Sequence, residues 1–210
     1  RWFGRFHVRP NLSRMNPYKS SQRVSHLRRC FYAVRFSTDV LDYLDGLMLD
    51  LRSHGANVRW TPRRNVHLTL RFLGDLDERQ VRRAGEISRA IPEGPIHVRG
   101  DGLGAFPSLR APRVLWAGVS TDTDDERARL MRLQETTERH AQSLGLPREQ
   151  RPWRPHVTLA RVPFPSPGLR PLIDDITTRE CRSPLSAVTD LFLMESLMSQ
   201  GGVEYRVLNS

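Results

Sequence analysis

Lysine is nearly absent from this chain of 210 residues. Lys19 is the only one, so residues 30–210 contain none. For that part of the chain, the absence excludes a ligase with a nucleophilic lysine, a Schiff-base enzyme and a phosphate-binding loop of the Walker A type. The cationic side chains are otherwise arginines, whose planar guanidinium group suits bidentate contact with phosphate.

Cysteines and long apolar runs are also scarce. Cys30 and Cys181 are the only two cysteines, too few for a disulfide framework, and they form no Cys-x-x-Cys metal pattern. No run of about eighteen apolar residues is present, so we expect no membrane-spanning segment. The composition therefore predicts a cytoplasmic protein that needs neither a metal nor another cofactor and makes no membrane contact.

Acidic residues are missing from the start of the chain. Residues 1–29 hold eight basic side chains and no acid, whereas the remainder has 25 basic and 23 acidic side chains. The net charge of +10 thus belongs mainly to this segment. We expect residues 1–29 to be a basic, disordered N-terminal extension and residues 30–210 to be the folded domain. The extension is interpreted first as an over-extended gene start, with an RNA-attracting arm and a transit-like segment as alternatives.

A His-x-Thr-Leu motif occurs twice, at residues 67–70 and 156–159. Because successive side chains of a β-strand alternate between faces, His67 and Thr69 share one face, while the neighbouring leucines and Phe72 share the other. The second copy places His156 and Thr158 together in the same way. If the two strands are neighbours, two imidazoles and two hydroxyls converge on one small space.

Such a space suits a phosphate ester. An unperturbed imidazole has a pKa near ~6.5, so near neutrality one copy can be neutral and act as a base while the other is charged and acts as an acid. Threonine hydroxyls can donate hydrogen bonds to the non-bridging phosphate oxygens. This chemistry requires neither a metal nor a covalent intermediate.

The remaining pattern predicts an α+β fold. Strand-like and helix-like segments alternate in a similar order on both sides of the middle, which indicates two similar lobes with antiparallel sheets and outer helices. The two His-x-Thr strands would face a central cleft between these lobes. Predicted helices cover about 38–54, 78–90 and 124–143. Predicted strands cover 30–36, 58–60, 66–73, 96–103, 114–119, 185–188, 191–194 and 205–208. The second motif strand follows a loop at 147–155, and a breaker region follows at 163–167.

The motifs and their connecting segments resemble a known family. Residues 65–74 read NVHLTLRFLG and residues 154–161 read RPHVTLAR. Between them, Phe106-Pro107 precedes PRVLWAG at 112–118, and Glu195-Ser196, Gly202 and Tyr205 lie near the end. In this order they resemble the two-histidine phosphoesterase superfamily and, within it, the bacterial RNA 2',3'-cyclic phosphodiesterases, long named 2'-5' RNA ligases.

The resemblance implies the roles of individual residues. RNA ending in a 2',3'-cyclic phosphate would be the substrate and a 2'-phosphomonoester the product. His67 matches the proton donor and His156 the proton acceptor, while Thr69 and Thr158 match the hydroxyls that hold the phosphate. Arg161 matches a basic residue that contacts the phosphate. Its odd offset from His156 places it on the wrong face of an ideal strand, so it requires a bulge or bend at residues 161–163.

Three further residues have open interpretations. Arg71 shares the face of His67 on an ideal strand, so it either lines the cleft or is a solvated surface residue. Trp153 and Phe72 are candidates for stacking on a base, although core packing is the favoured role of Phe72.

Two other functions compete with hydrolysis. The first is an ATP-independent 2'-5' RNA ligase that uses the same site, since microscopic reversibility lets an RNA 5'-hydroxyl replace water. The second is a non-catalytic module that binds RNA ends with the help of the basic extension. For the favoured function we expect a monomer that acts on RNA.

Overall fold

The computed structural model describes residues 27–87, 89–200 and 202–209. The strands are β1 (Arg28–Val34), β2 (Arg59–Trp60), β3 (Leu68–Leu76), β4 (Ile96–Phe106), β5 (Val114–Ser120), β6 (His156–Arg161), β7 (Ser186–Val188), β8 (Phe192–Ser199) and β9 (Gly202–Val207). The α-helices are α1 (Thr38–Arg52), α2 (Glu78–Ala84), α3 (Asp124–Ser143) and α4 (Leu169–Thr178). Residues 1–26, and with them most of the predicted extension, lie outside the described part. Arg28 and Arg29 already belong to β1.

All nine strands join one curled sheet, in the order β7-β4-β5-β6-β3-β1-β8-β9, with β2 beside β6. Every pairing is antiparallel. The sheet has two halves, one on each side of the junction between β3 and β6, where Leu68 pairs with Val157. The predicted α+β class with two similar antiparallel lobes is confirmed, and the two motif strands lie where the lobes meet.

Strand β1 shows how the two faces of the sheet differ. Cys30, Tyr32 and Val34 belong to the main hydrophobic core, which all four described helices cover. Phe31 and Ala33 alternate with them and pack on the other face, in a small cluster with residues from β8 and β9. The helices therefore cover one face, and the face of Phe31 remains available for the site.

Helix α3 occupies the predicted range of 124–143, but two other helices differ from prediction. Helix α2 ends at Ala84 rather than near 90, because Gly85 follows and glycine is a poor helix former. Helix α4 was missed because residues 163–167 indicated only a breaker. Leu172, Ile173 and Ile176 are buried at helical spacing and were the available signal. Among the described helices, none has both the length and the apolar character needed to cross a bilayer.

Gly168 offers a test of this architecture, because it precedes α4 and packs tightly against residues 54–56, which follow α1. Its φ is +79°, and a Cβ atom there would lie 2.1 Å from the carbonyl oxygen of His54. We expect Gly168→Ala to lower the free energy of unfolding by about 2 kcal/mol or more. Gly46→Ala is the matched control, because Gly46 lies inside α1 with open space around its Cα.

The control should raise the free energy of unfolding by about 0.5–1 kcal/mol, since alanine is the better helix former. Both values come from urea denaturation. A neutral or stabilising Gly168→Ala would contradict the described packing of Gly168 against the segment that follows α1.

Candidate active site

The fold brings the two His-x-Thr motifs together. Leu68 and Val157 are cross-strand partners, and each is flanked by the histidine and threonine of its own motif. The side chains of Leu68 and Val157 are fully buried on the helix side. The histidines and threonines therefore lie on the opposite face, beside Phe31, whose ring centroid is 4.9 Å from that of His67.

Hydrogen bonds fix both imidazoles in the same tautomer. His67 Nδ1 lies 2.7 Å from the carbonyl oxygen of Asn65, and His156 Nδ1 lies 2.6 Å from that of Arg154. A carbonyl oxygen only accepts, so Nδ1 carries the proton in each ring and the neutral Nε2 is an acceptor. The Nε2 of His67 is 3.0 Å from Thr69 Oγ1, whose hydroxyl can donate to it. Because both Nδ1 atoms are bound to the backbone, Nε2 is the nitrogen of each ring that can exchange a proton with a ligand.

Aromatic rings hold each imidazole in place. Two rings contact His67 and two contact His156, and all four pairs have tilted or edge-on geometry. The distances between ring centroids are 4.9 Å for His67–Phe31, 4.9 Å for His67–Tyr205, 4.9 Å for His156–Phe106 and 6.4 Å for His156–Trp116. The aromatic partners had not been assigned to the site from the sequence. They restrict the rotation of the rings and exclude water from them.

Burial makes both imidazoles weaker bases than usual. It lowers the pKa of His67 from 6.5 to about 4, and the positive charge of Arg35 contributes, although the carbonyl of Asn65 opposes the shift. Burial likewise lowers the pKa of His156. Both rings therefore favour the neutral form near pH 7 in the free protein. This differs from the expectation of one neutral and one charged histidine at rest.

Both motif strands contain a β-bulge at the leucine that follows the threonine. In β3, Thr69 faces Ala33 of β1 and Arg71 faces the next residue, Tyr32, so Leu70 has no partner of its own. The second bulge lies at the equivalent position in β6, at residue 159. A bulge inserts one extra residue and thereby reverses the alternation of faces beyond it. Residues that follow each bulge therefore lie on the face of the sheet opposite to the one that strict alternation predicts.

The bulge in β6 places Arg161 on the face of the histidines. Trp116 faces Thr158, and Leu115 faces Ala160, so Leu159 is the extra residue. Arg161 is exposed and adds to the positive charge that acts on the imidazole of the first motif. Arg161 is an odd number of residues from His156, so a bulge was expected at residues 161–163. The structure has the bulge at Leu159, two residues earlier.

The bulge in β3 exchanges the predicted faces of Arg71 and Phe72. Arg71 does not share the face of His67; it turns to the helix side, where its Nε lies 2.6 Å from the buried carboxylate of Glu138. Phe72 does not pack in the core as favoured. Its side chain is 60% exposed and lies on the site face, with its ring 5.9 Å from that of Phe31. Phe72 and Arg161 thus occupy equivalent positions in the two motifs.

A cavity of about 920 Å³ opens beside His156 and Thr69. Thr69 and His156 line it, and Phe72 and Met131 present exposed apolar surface to it. Arg71 also lines the cavity, although from the helix side, so the cleft alternative for this residue is the one that the structure favours. The loop before β6 covers another wall, where Trp153 Nε1 donates to the carbonyl oxygen of Thr69 over 3.0 Å. Within the part of the chain that the structure describes, no group of three or more potential metal ligands occurs. The cavity can hold a nucleoside-sized group next to the imidazole of His156.

Comparisons with known proteins agree with this geometry. The profile of the LigT like Phosphoesterase family matches residues 36–116 and 122–204. A relative from Thermotoga maritima, named RNA 2',3'-cyclic phosphodiesterase, is 30% identical over 185 residues, which cover 86% of this chain and 92% of the relative. A relative of the same name from Aeropyrum pernix is 31% identical over 156 residues, which cover 73% and 85% of the two chains.

Solved structures share the fold. The crystal structure of TT0787 of Thermus thermophilus superposes with a TM-score of 0.67 at 26% identity, covering 86% of this chain and 94% of the other. For E. coli LigT in its apo form the TM-score is 0.65 at 22% identity, with 88% and 96% covered, which concerns the fold alone. The resemblance noted from the motifs is confirmed: the chain belongs to the LigT-like phosphoesterase family.

Proposed function

We propose that this protein hydrolyses the 2',3'-cyclic phosphate at the end of an RNA strand to a 2'-phosphomonoester. The observation that supports this most directly is the pair of imidazoles on adjacent strands and on one face of the sheet, each with Nδ1 bound to a carbonyl so that Nε2 is the nitrogen left for proton transfer. The names of the curated relatives support the same reaction. The chain would act as a monomer in the cytoplasm.

Each histidine has one proton transfer in the reaction. His156 Nε2 removes a proton from water, and the resulting hydroxide attacks phosphorus. The bond from phosphorus to the 3' oxygen breaks, and His67 Nε2–H gives its proton to that oxygen. The order of these roles follows the family resemblance. The hydroxyls of Thr69 and Thr158 would donate to the non-bridging oxygens, and Arg161 would balance their negative charge.

The lowered pKa values imply that the donor is protonated when substrate binds. In the free protein His67 favours the neutral form, with Thr69 near its Nε2. A bound phosphate anion favours the charged imidazole and so raises its pKa. Protonation of His67 and binding of the phosphate therefore reinforce each other.

The cavity beside His156 would take the terminal nucleoside. Phe72 offers an exposed aromatic face at the position where the second motif has Arg161. Aromatic side chains stack on single-stranded bases without strong sequence preference. The two bulges thus provide a surface for the base on one side of the histidines and a cation for phosphate on the other.

Replacement of either histidine tests the reaction. With an RNA oligomer that ends in a 2',3'-cyclic phosphate, we expect His67→Ala and His156→Ala each to lower kcat by about 10²–10⁴-fold, the usual contribution of a general acid or base. His97→Ala is the control, because His97 pairs with Glu126 away from the cavity. The end group is identified by chromatography. A 3'-phosphate product, or joined RNA ends in excess of hydrolysis, would contradict the proposal.

The pH dependence of the rate tests the state of the histidines. The active form has one protonated and one neutral imidazole, and both free-state pKa values lie below 6.5. The protonated fraction falls as pH rises, so we expect a bell-shaped kcat/KM with its maximum below pH 6.5. The maximum of kcat should lie at higher pH, because bound phosphate raises the donor's pKa. A kcat/KM that rises steadily from about pH 6 to 8 would contradict this assignment.

Phe72→Ala tests the site for the base. We expect about a tenfold loss of kcat/KM for adenosine 2',3'-cyclic phosphate, in line with the energy of stacking one base on an aromatic ring. Glycerol 1,2-cyclic phosphate has no base, so its kcat/KM should stay within about twofold. Phe164→Ala is the matched control, since Phe164 is 54% exposed but does not line the cavity. Equal losses for both substrates would mean that Phe72 supports the histidines rather than the base.

A further inference from the structure

Arg59 and Arg161 are direct cross-strand partners on β2 and β6. Residues opposite each other in an antiparallel pair point to the same face. The neighbouring pair, Trp60 and Ala160, packs against the main core on the helix side. Arg59 and Arg161 therefore both project from the site face, and both are exposed.

This pair of like charges is not neutralised by the protein. Among the residues that the structure describes, neither Arg59 nor Arg161 has a carboxylate partner, whereas many arginines elsewhere do. Ion pairs of that kind are Arg28–Glu195, Arg63–Asp45, Arg71–Glu138, Arg99–Asp122 and Arg179–Asp175. Like charges directly opposite each other destabilise a sheet. An anion bound between them would remove this repulsion.

The position of the two arginines indicates the kind of anion that they would bind. Arg161 follows Thr158 on the strand of His156, and Arg59 lies one strand farther out on the same side of β6 as β3. The Cβ atoms of directly opposite residues are about 4.5–5.5 Å apart. Two flexible guanidinium groups that start from such closely spaced Cβ atoms can contact two phosphates one nucleotide apart along an RNA strand.

We propose that Arg59 binds the phosphodiester immediately upstream of the cyclic phosphate, while Arg161 serves the cyclic phosphate itself. This inference rests on the proposed function and extends it to the substrate class. The protein selects RNA strand ends over free cyclic mononucleotides, because a mononucleotide has no upstream phosphodiester for Arg59.

The experiment compares Arg59→Gln with wild type on three substrates: an RNA oligomer with a 2',3'-cyclic phosphate, the same oligomer with an uncharged methylphosphonate at its last linkage, and adenosine 2',3'-cyclic phosphate. We expect kcat/KM for the natural oligomer to fall about tenfold, with the slope of its logarithm against log salt reduced by about one. Values for the methylphosphonate oligomer and the mononucleotide should stay within about twofold. Arg59→Lys should retain most of the activity, since it keeps the charge.

Arg79→Gln is the control for a general change of charge. Arg79 is exposed on α2, which packs against the helix side of β1 and β3. If Arg59→Gln weakens all three substrates equally, or none of them, the inference is overturned while the proposed function stands. If wild type hydrolyses none of the three, the proposed function fails, and the inference fails with it.

Discussion

The pairing of β3 with β6 at Leu68 and Val157 joins the two halves of the sheet at the point where both His-x-Thr motifs lie. Because those two residues point into the core, their neighbours on both strands must point away from it. Two imidazoles and two hydroxyls are thereby held on one face by backbone pairing and core packing. The geometry of the site depends on this contact more than on any interaction among the site residues themselves.

The two bulges give the site its asymmetry. An equivalent extra residue, Leu70 in one motif and Leu159 in the other, turns the residue five positions after each histidine onto the site face. On one strand that residue is Phe72, and on the other it is Arg161. A duplicated motif thus surrounds the proposed reaction centre with an apolar aromatic surface on one side and a cation on the other. In the proposed function, the aromatic surface would receive the base and the cation would contact the phosphate.

The sequence predicts this site correctly where side chains alternate regularly between the two faces of a strand, and not beyond the bulges. Alternation between faces correctly grouped His67 with Thr69 and His156 with Thr158, since both pairs precede the bulges. It placed Phe72 in the core and Arg71 on the face of His67, and both assignments were wrong, because a bulge arises from register with a neighbouring strand that one segment does not specify. The odd offset of Arg161 did indicate a bulge in β6, and the duplicated motif would have suggested the same in β3.

The central claim is that both imidazoles present Nε2 to one phosphate, and ¹⁵N NMR of the histidine side chains tests it most directly. At about pH 7.5 without ligand, the account predicts neutral rings for His67 and His156, protonated at Nδ1 and not at Nε2. Saturating inorganic phosphate should protonate Nε2 of one ring and shift the resonance of the other. Rings protonated at Nε2 in the free protein, or no response to phosphate, would contradict the account.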